Sequence, residues 1–231
     1  MPDHGSYGQF CPVSMAAEIV CTRWTPLVLR ELLCGSRHFN ELRRGVPRMS
    51  PSLLSRRLEE LCEAGIVSRT GKPGATEYHL TAAGEDLRPI IMALGHWGQQ
   101  WVDSKLSLTK LDPSLLMWDM RRNIFPRPPP PRRYTLEFHY PDVDVARQHY
   151  WLVVEPDGTV DLCHFDPGFE VNMVLKAPLR AMTSVWMGIS NLKQELDAGI
   201  IEVAGDRAAT AAFLKWLGLS PFARRKIQVA A

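Results

Sequence analysis

The sequence predicts a mainly α domain followed by an α+β domain, and three observations carry that expectation. From Val13 to Val102 apolar residues recur at helical spacing, interrupted by two short extended segments around a Gly/Lys/Pro turn. Beyond the proline-rich run Pro126–Arg133 the period shifts to strands, and helical segments return only near the end. The composition supports packed cores in both parts: 45% of the 231 residues are hydrophobic and 23% charged.

In chain order, Val13–Val20 and Thr25–Cys34 read as helices. Trp24, Leu27, Val28 and Leu32 have helical spacing, Pro26 falls near the start, and Gly35 supplies the stop. A short helix over Phe39–Gly45 points Phe39 and Leu42 inward and Arg43 and Arg44 outward, until Gly45-Val46-Pro47 breaks it. The next helix lies within Met49–Ala64. Ser50 caps it, Pro51 takes the first helical position, and Leu54, Leu58 and Leu61 form one apolar stripe. Its opposite face carries Ser52, Ser55, Arg56 and Glu59, with Arg57 on a flank.

After Gly65, Ile66–Thr70 and Glu77–Leu80 read as strands around the loop Gly71–Ala75. Two helices joined by a turn and followed at once by a hairpin make a winged helix-turn-helix. Thr81 then caps one long helix to about Val102, with Pro89 in its early turns. Leu87, Ile90, Ile91, Leu94, Trp97 and Trp101 share a face of it, more apolar surface than a small domain covers, so a homodimer contact is expected there.

Net charge is +2, but Gly35–Lys72 holds eight Lys/Arg against four Glu, whereas Tyr134–Ala231 holds nine Lys/Arg against twelve Asp/Glu. The basic segment is the one suited to a polyanion. In a DNA groove, Ser52, Ser55 and Arg56 would face bases and nearby phosphates, with Ser50 at the start of the same helix also counted among the DNA-binding residues. Arg37, Arg43, Arg44, Arg48 and Arg57 would hold the backbone, and Arg69 and Lys72 would serve the wing. These features are what is expected of a DNA-binding regulator, with double-stranded operator DNA as its partner.

The motifs Cys11-Pro12-Val13, Arg23-Trp24-Thr25, Leu29-Arg30-Glu31-Leu32, Arg37-His38-Phe39-Asn40-Glu41-Leu42-Arg43, Ser50-Pro51-Ser52-Leu53-Leu54-Ser55-Arg56-Arg57-Leu58, Ala64-Gly65-Ile66-Val67 and Tyr78-His79-Leu80-Thr81 carry a resemblance. Over about Gln9–Val102 the chain resembles the HxlR-type winged-helix repressors, relatives of the MarR group. The resemblance implies a homodimer on inverted-repeat operator DNA, with the Ser50–Glu63 helix in the major groove. Ile19-Val20-Cys21-Thr22-Arg23 departs from it, since a glycine is common there in the family. Some HxlR-like proteins use a cysteine near Cys11 as an oxidant sensor, so a redox switch at Cys11 is one alternative mode of control, with His4 and Arg23 the nearest cations in sequence.

In the second half, Leu108–Phe125 reads as a helical connector and Pro126–Arg133 as a stiff spacer. Strands follow at Tyr134–Tyr140, Tyr150–Glu155, Thr159–His164 and Val171–Ala177. Helices at Leu179–Trp186 and Ser190–Ala198, a strand at Ile200–Val203 and a helix at Asp206–Leu217 complete a mostly antiparallel sheet covered by helices. The expected domains are residues 1–107, winged helix-turn-helix and dimerisation; 108–133, connector and linker; and 134–231, the α+β part.

Trp151-Leu152-Val153-Val154-Glu155, Asp166-Pro167-Gly168-Phe169-Glu170-Val171 and Ile201-Glu202-Val203-Ala204-Gly205, with Phe213 and Trp216-Leu217, resemble sterol-carrier-protein-type-two-like domains, apart from Asn172 where many relatives have Asp. That resemblance implies an apolar cavity for a lipid or other hydrophobic small molecule, or else a domain that only stabilises the dimer. Phe138, Trp151, Phe165, Met173, Met182, Trp186, Met187, Phe213 and Trp216 are read as core first and cavity lining second.

No catalytic set, nucleotide-binding glycine pattern or metal-ligand spacing occurs, so neither an enzyme nor a cofactor is expected. The five cysteines lack a CxxC pair, and there is no secretion signal or run of ~18 apolar residues, which points to reduced thiols in a cytoplasm and no membrane. The alternative class is a lipid carrier whose winged helix serves only assembly.

Overall fold

The computed structural model describes residues 6–72, 74–102, 108–109 and 111–223. His4, Pro73 of the wing turn, and residues 103–107, 110 and 224–231 of the expected domains lie outside them. The chain divides into two compact units, Met1–Leu94 and Gly95–Ala231.

In the first unit α1 (Pro12–Val20), α2 (Thr25–Leu33), α3 (Phe39–Gly45) and α4 (Pro51–Glu63) precede β1 (Val67–Thr70) and β2 (Glu77–Leu80). The strands pair antiparallel with Val67 opposite Leu80 and Thr70 opposite Glu77, and an isolated bridge adds His38 beside Glu77. Gly71 enters the turn at φ +92°, where a Cβ would stand 2.3 Å from the Ala75 carbonyl oxygen, so this wing turn requires glycine. The core joins Val28, Leu29 and Leu32 of α2, Leu42 of α3, Leu54, Leu58 and Leu61 of α4, Val67 of β1, and Ile91.

The single helix expected from Thr81 to Val102 is two: α5 (Ala82–Glu85) and α6 (Arg88–Trp101). Pro89 has no N–H to give the Glu85 carbonyl, and its ring would collide with that carbonyl in an unbroken helix. The expected dimer face is corrected with it. Ile91 is buried in the unit's own core and Leu87 packs against it. Ile90, Leu94, Trp97 and Trp101 are exposed, the last at 68%.

In the second unit α7 (Pro113–Arg122) precedes β3 (Tyr134–His139), β4 (His149–Val154), β5 (Val160–Cys163) and β6 (Met173–Lys176). Then come α8 (Leu179–Trp186), α9 (Leu192–Asp197), β7 (Glu202–Gly205) and α10 (Arg207–Trp216). The sheet order is β5-β4-β3-β6-β7, with β3 and β6 parallel and the other neighbours antiparallel. Strand alternation sends Leu136, Phe138, Tyr150, Leu152, Met173 and Leu175 into one core with side chains of α7, α8 and α10.

The connector reading of 108–133 is thereby corrected. α7 belongs to the second unit, because Leu116, Met117, Trp118 and Met120 are buried in its core. The proline run does not end a domain either: Pro130 is buried, and the Phe125 N–H bonds the Trp216 carbonyl just before the run. Asn172 clasps this sheet. Its Oδ1 accepts the Thr135 N–H at 2.9 Å in a buried setting, and its carbonyl accepts the Asp206 N–H at 2.7 Å. The neutral side-chain amide accepts the Thr135 bond without burying a charge, which accounts for Asn at this position.

Candidate nucleic-acid interface

The interface begins with what fixes α3 and α4. Glu41 accepts the backbone N–H groups of Arg37 and His38 at 2.8 and 3.0 Å, satisfying free donors at the start of α3. Ser50 Oγ accepts the Leu53 N–H at 3.3 Å, with Pro51 next at the first helical position. The leucine stripe buries Leu54, Leu58 and Leu61, so Ser52, Ser55, Arg56 and Glu59 are left exposed on the far side.

One element escaped the sequence. Glu31 is fully buried, and Arg30 donates to its Oε1 from Nε at 3.2 Å and Nη2 at 2.8 Å. The same Nη2 reaches the Gly45 carbonyl at 2.9 Å, and Ser36 Oγ donates to Oε2 at 3.4 Å. Arg30, neutralised by the fully buried Glu31, therefore ties α2 to the end of α3 through the Gly45 carbonyl. The available signal was an acidic residue amid the apolar positions Val28, Leu29 and Leu32.

The predicted contact residues divide in two. Arg43, Arg44, Arg48, Ser52, Ser55, Arg56, Arg69 and Lys72 are exposed. Arg56 has one loose i,i+4 partner, Glu60, at 3.8 Å. Ser50 is occupied as a cap, and Arg37 is half-buried with Nη1 donating to the Leu32 carbonyl at 3.3 Å. Arg57 is corrected from backbone holder to strut: its side chain is only 12% exposed, Nε donates to the Arg23 carbonyl at 3.3 Å, and Nη1 is paired with Glu60. A guanidinium spent on two internal acceptors is not presented to a phosphate.

Cys11 is exposed just before α1, its carbonyl accepting Ser14 Oγ at 2.9 Å. Cys62 on α4 is half-buried. Burial pushes its thiol up, against a smaller opposing pull from Arg69, so it stays a neutral thiol at physiological pH. Among the described residues no three His, Cys, Asp or Glu gather as a metal site, and no helix is long and apolar enough to cross a membrane.

Of the side chains read as core first and cavity lining second, Phe138, Met173, Met182 and Phe213 are fully buried members of the second unit's core. Trp151 lies on the strand face opposite to the core, because its neighbours Tyr150 and Leu152 point inward, and Phe165 is 84% exposed.

A short helix pair, an exposed Ser/Arg face on the second helix and a hairpin carrying Arg69 and Lys72 together define a winged helix-turn-helix DNA-binding protein. The HxlR-like helix-turn-helix family model matches residues 19–106. The HTH-type transcriptional regulator YvaP of Bacillus subtilis is 36% identical over 99 residues, 41% of this chain and 92% of YvaP. The HTH-type transcriptional regulator sll1512 of Synechocystis is 33% identical over 101 residues, 42% of this chain and 75% of its own length. Among solved structures, the reduced redox regulator HypR is 30% identical, covering 42% of this chain and 99% of its own, with a TM-score of 0.39. The chain belongs to the HxlR-like helix-turn-helix family.

Proposed function

We propose that this DNA-binding regulator is a homodimeric repressor whose α4 enters the major groove of an inverted-repeat operator. The observation that carries the proposal is the exposed Ser52, Ser55 and Arg56 face set opposite a fully anchored leucine stripe. Arginine meets guanine O6 and N7 through two parallel bonds, and serine hydroxyls bond bases or phosphates. Arg43, Arg44 and Arg48 border that face from α3 and the turn, and Arg69 and Lys72 extend the positive surface along the wing.

The test is a binding titration on a fragment of the protein's own promoter. Arg56→Ala is expected to cost about 1–3 kcal/mol on the operator, and Arg43→Ala to weaken all sequences alike and reduce the salt slope by about 1. Parent-like binding by both variants contradicts this placement. Absence of any mobility shift by the parent at low salt favours the carrier reading instead.

The dimer half of the proposal rests on Ile90, Leu94, Trp97 and Trp101. They follow one another at helical spacing along α6 and are all more than half exposed, a patch of the kind that a partner covers. The expected result for Trp97→Asp is a monomer by sedimentation equilibrium that keeps its folded circular dichroism spectrum and loses the concentration dependence of its unfolding midpoint. A dimer of parental affinity would place the interface elsewhere.

A further inference from the structure

α4 has two flanks as well as an outward face. At 3.6 residues per turn, Arg57 and Cys62 stand about 140° apart, on either side of the leucine stripe. On the Cys62 flank lies the wing, since the Arg69 guanidinium of β1 acts electrostatically on both Cys62 and Tyr78. On the Arg57 flank lies residue 23, whose carbonyl accepts Arg57 Nε at 3.3 Å.

Residue 23 is held at a strained corner. Trp24 has φ +79°, and no other described non-glycine residue has a positive φ. Bulky side chains rarely adopt that conformation, and it persists only where surrounding contacts hold it. The Trp24 carbonyl accepts the Leu27 and Val28 N–H groups, both at 3.0 Å, so the same corner starts α2. The Arg23 side chain is exposed and lies with its guanidinium carbon 5.8 Å from the centre of the Trp24 ring, with no carboxylate partner among the described residues. Backbone strain and a bond from the recognition helix thus fix the backbone of residue 23 beside α4, and its exposed side chain carries a cation on the flank away from the wing.

A helix with its side chains is about 10–12 Å across, and the major groove is about 12 Å wide. A helix seated in that groove therefore brings both of its flanks against sugar-phosphate strands. We infer that Arg23 contacts the phosphate backbone bordering the groove on the side of α4 opposite the wing, with Arg57 as the strut that positions it. The inference rests on α4 being the recognition helix. It makes the basic surface two-sided, with Arg69 and Lys72 meeting one strand and Arg23 the other.

The test compares full-length parent, Arg23→Ala, Arg23→Lys and Arg56→Ala on the promoter fragment and on unrelated DNA of equal length, over a range of salt. The Arg57 bond goes to the carbonyl of residue 23, so neither substitution there removes it. Arg23→Ala is expected to weaken both DNAs by similar factors, to lower the salt slope by about 1, and to leave the unfolding midpoint unchanged. Arg23→Lys is expected to restore the slope, because a phosphate contact needs the charge rather than the guanidinium shape. If Arg23→Ala binds like the parent while Arg56→Ala loses affinity, the inference is overturned and the recognition helix stands. Arg23→Ala weakening only the promoter fragment, or a lowered midpoint with no rescue by lysine, overturns it as well. If both alanine variants bind like the parent, the recognition helix itself is misassigned.

Discussion

Replacing Gly45 by alanine is expected to destabilise the first unit by about 1–3 kcal/mol, the cost of forcing a Cβ into a filled site, and to abolish specific DNA binding. A glycine-to-alanine change in a helix ordinarily stabilises it by about 0.5–1 kcal/mol, so the sign is diagnostic. A Cβ at residue 45 would stand 1.8 Å from Glu31 Cδ and 2.0 and 2.4 Å from its two oxygens. The carboxylate has no room to retreat, because Glu31 is fully buried and Arg30 and Ser36 hold its oxygens. Arg30 also binds the Gly45 carbonyl, so displacing the pair releases the end of α3 from α2 and disturbs the turn that aims α4. The midpoint of urea unfolding measures the effect. If the clash is the cause, Gly45→Ala combined with Glu31→Ala costs less than the sum of the two single changes. A Gly45→Ala variant as stable as the parent would show that α2 and α3 are not joined at this point.

The second large effect is expected in the other unit. Phe213→Ala removes a fully buried ring of α10 whose centre lies 5.6 Å from that of Phe138 on β3, edge to face. Truncating a buried phenylalanine costs about 3–5 kcal/mol, the lost transfer energy plus a cavity that the surroundings fill only in part. Trp118, Trp186 and Trp216 belong to the same core and report its unfolding by fluorescence. The expected outcome is an early loss of that signal in denaturant. A cost below about 1 kcal/mol contradicts the packing described, and points to a loose core with space for a ligand.

These two sites show where the sequence was legible and where it was not. α4 was readable because its determinants are local: the Ser50 cap, Pro51 and three leucines at helical spacing all lie within fifteen residues of one another. The wing was readable for the same reason, from two short extended runs around a glycine-bearing turn. The Glu31–Gly45 approach and the Arg57–Arg23 bond span turns of the chain, and no periodicity reports them.

α7 was read as a connector because its charges blur the apolar stripe. Those charges are spent internally: Asp119 accepts Trp186 Nε1 at 3.1 Å and pairs with Arg122, and Arg121 donates to the Val160 carbonyl at 2.9 Å. Side chains that look like a solvated face in sequence bind the helix to the rest of its unit. The outward face of α4 was legible in its residue types, but only the structure separates Arg56, which is presented, from Arg57, which is engaged.

The most direct measurement is dimethyl sulfate interference on the promoter fragment, which reports the guanine N7 atoms exposed in the major groove. With the parent protein, methylation is expected to block binding at guanines related by two-fold symmetry in the operator. With Arg56→Ala, at least one symmetric pair of those guanines is expected to become indifferent to methylation, because the side chain that reads N7 is gone. An identical interference pattern for parent and variant, or interference confined to minor-groove adenines, would contradict the placement of α4 in the major groove.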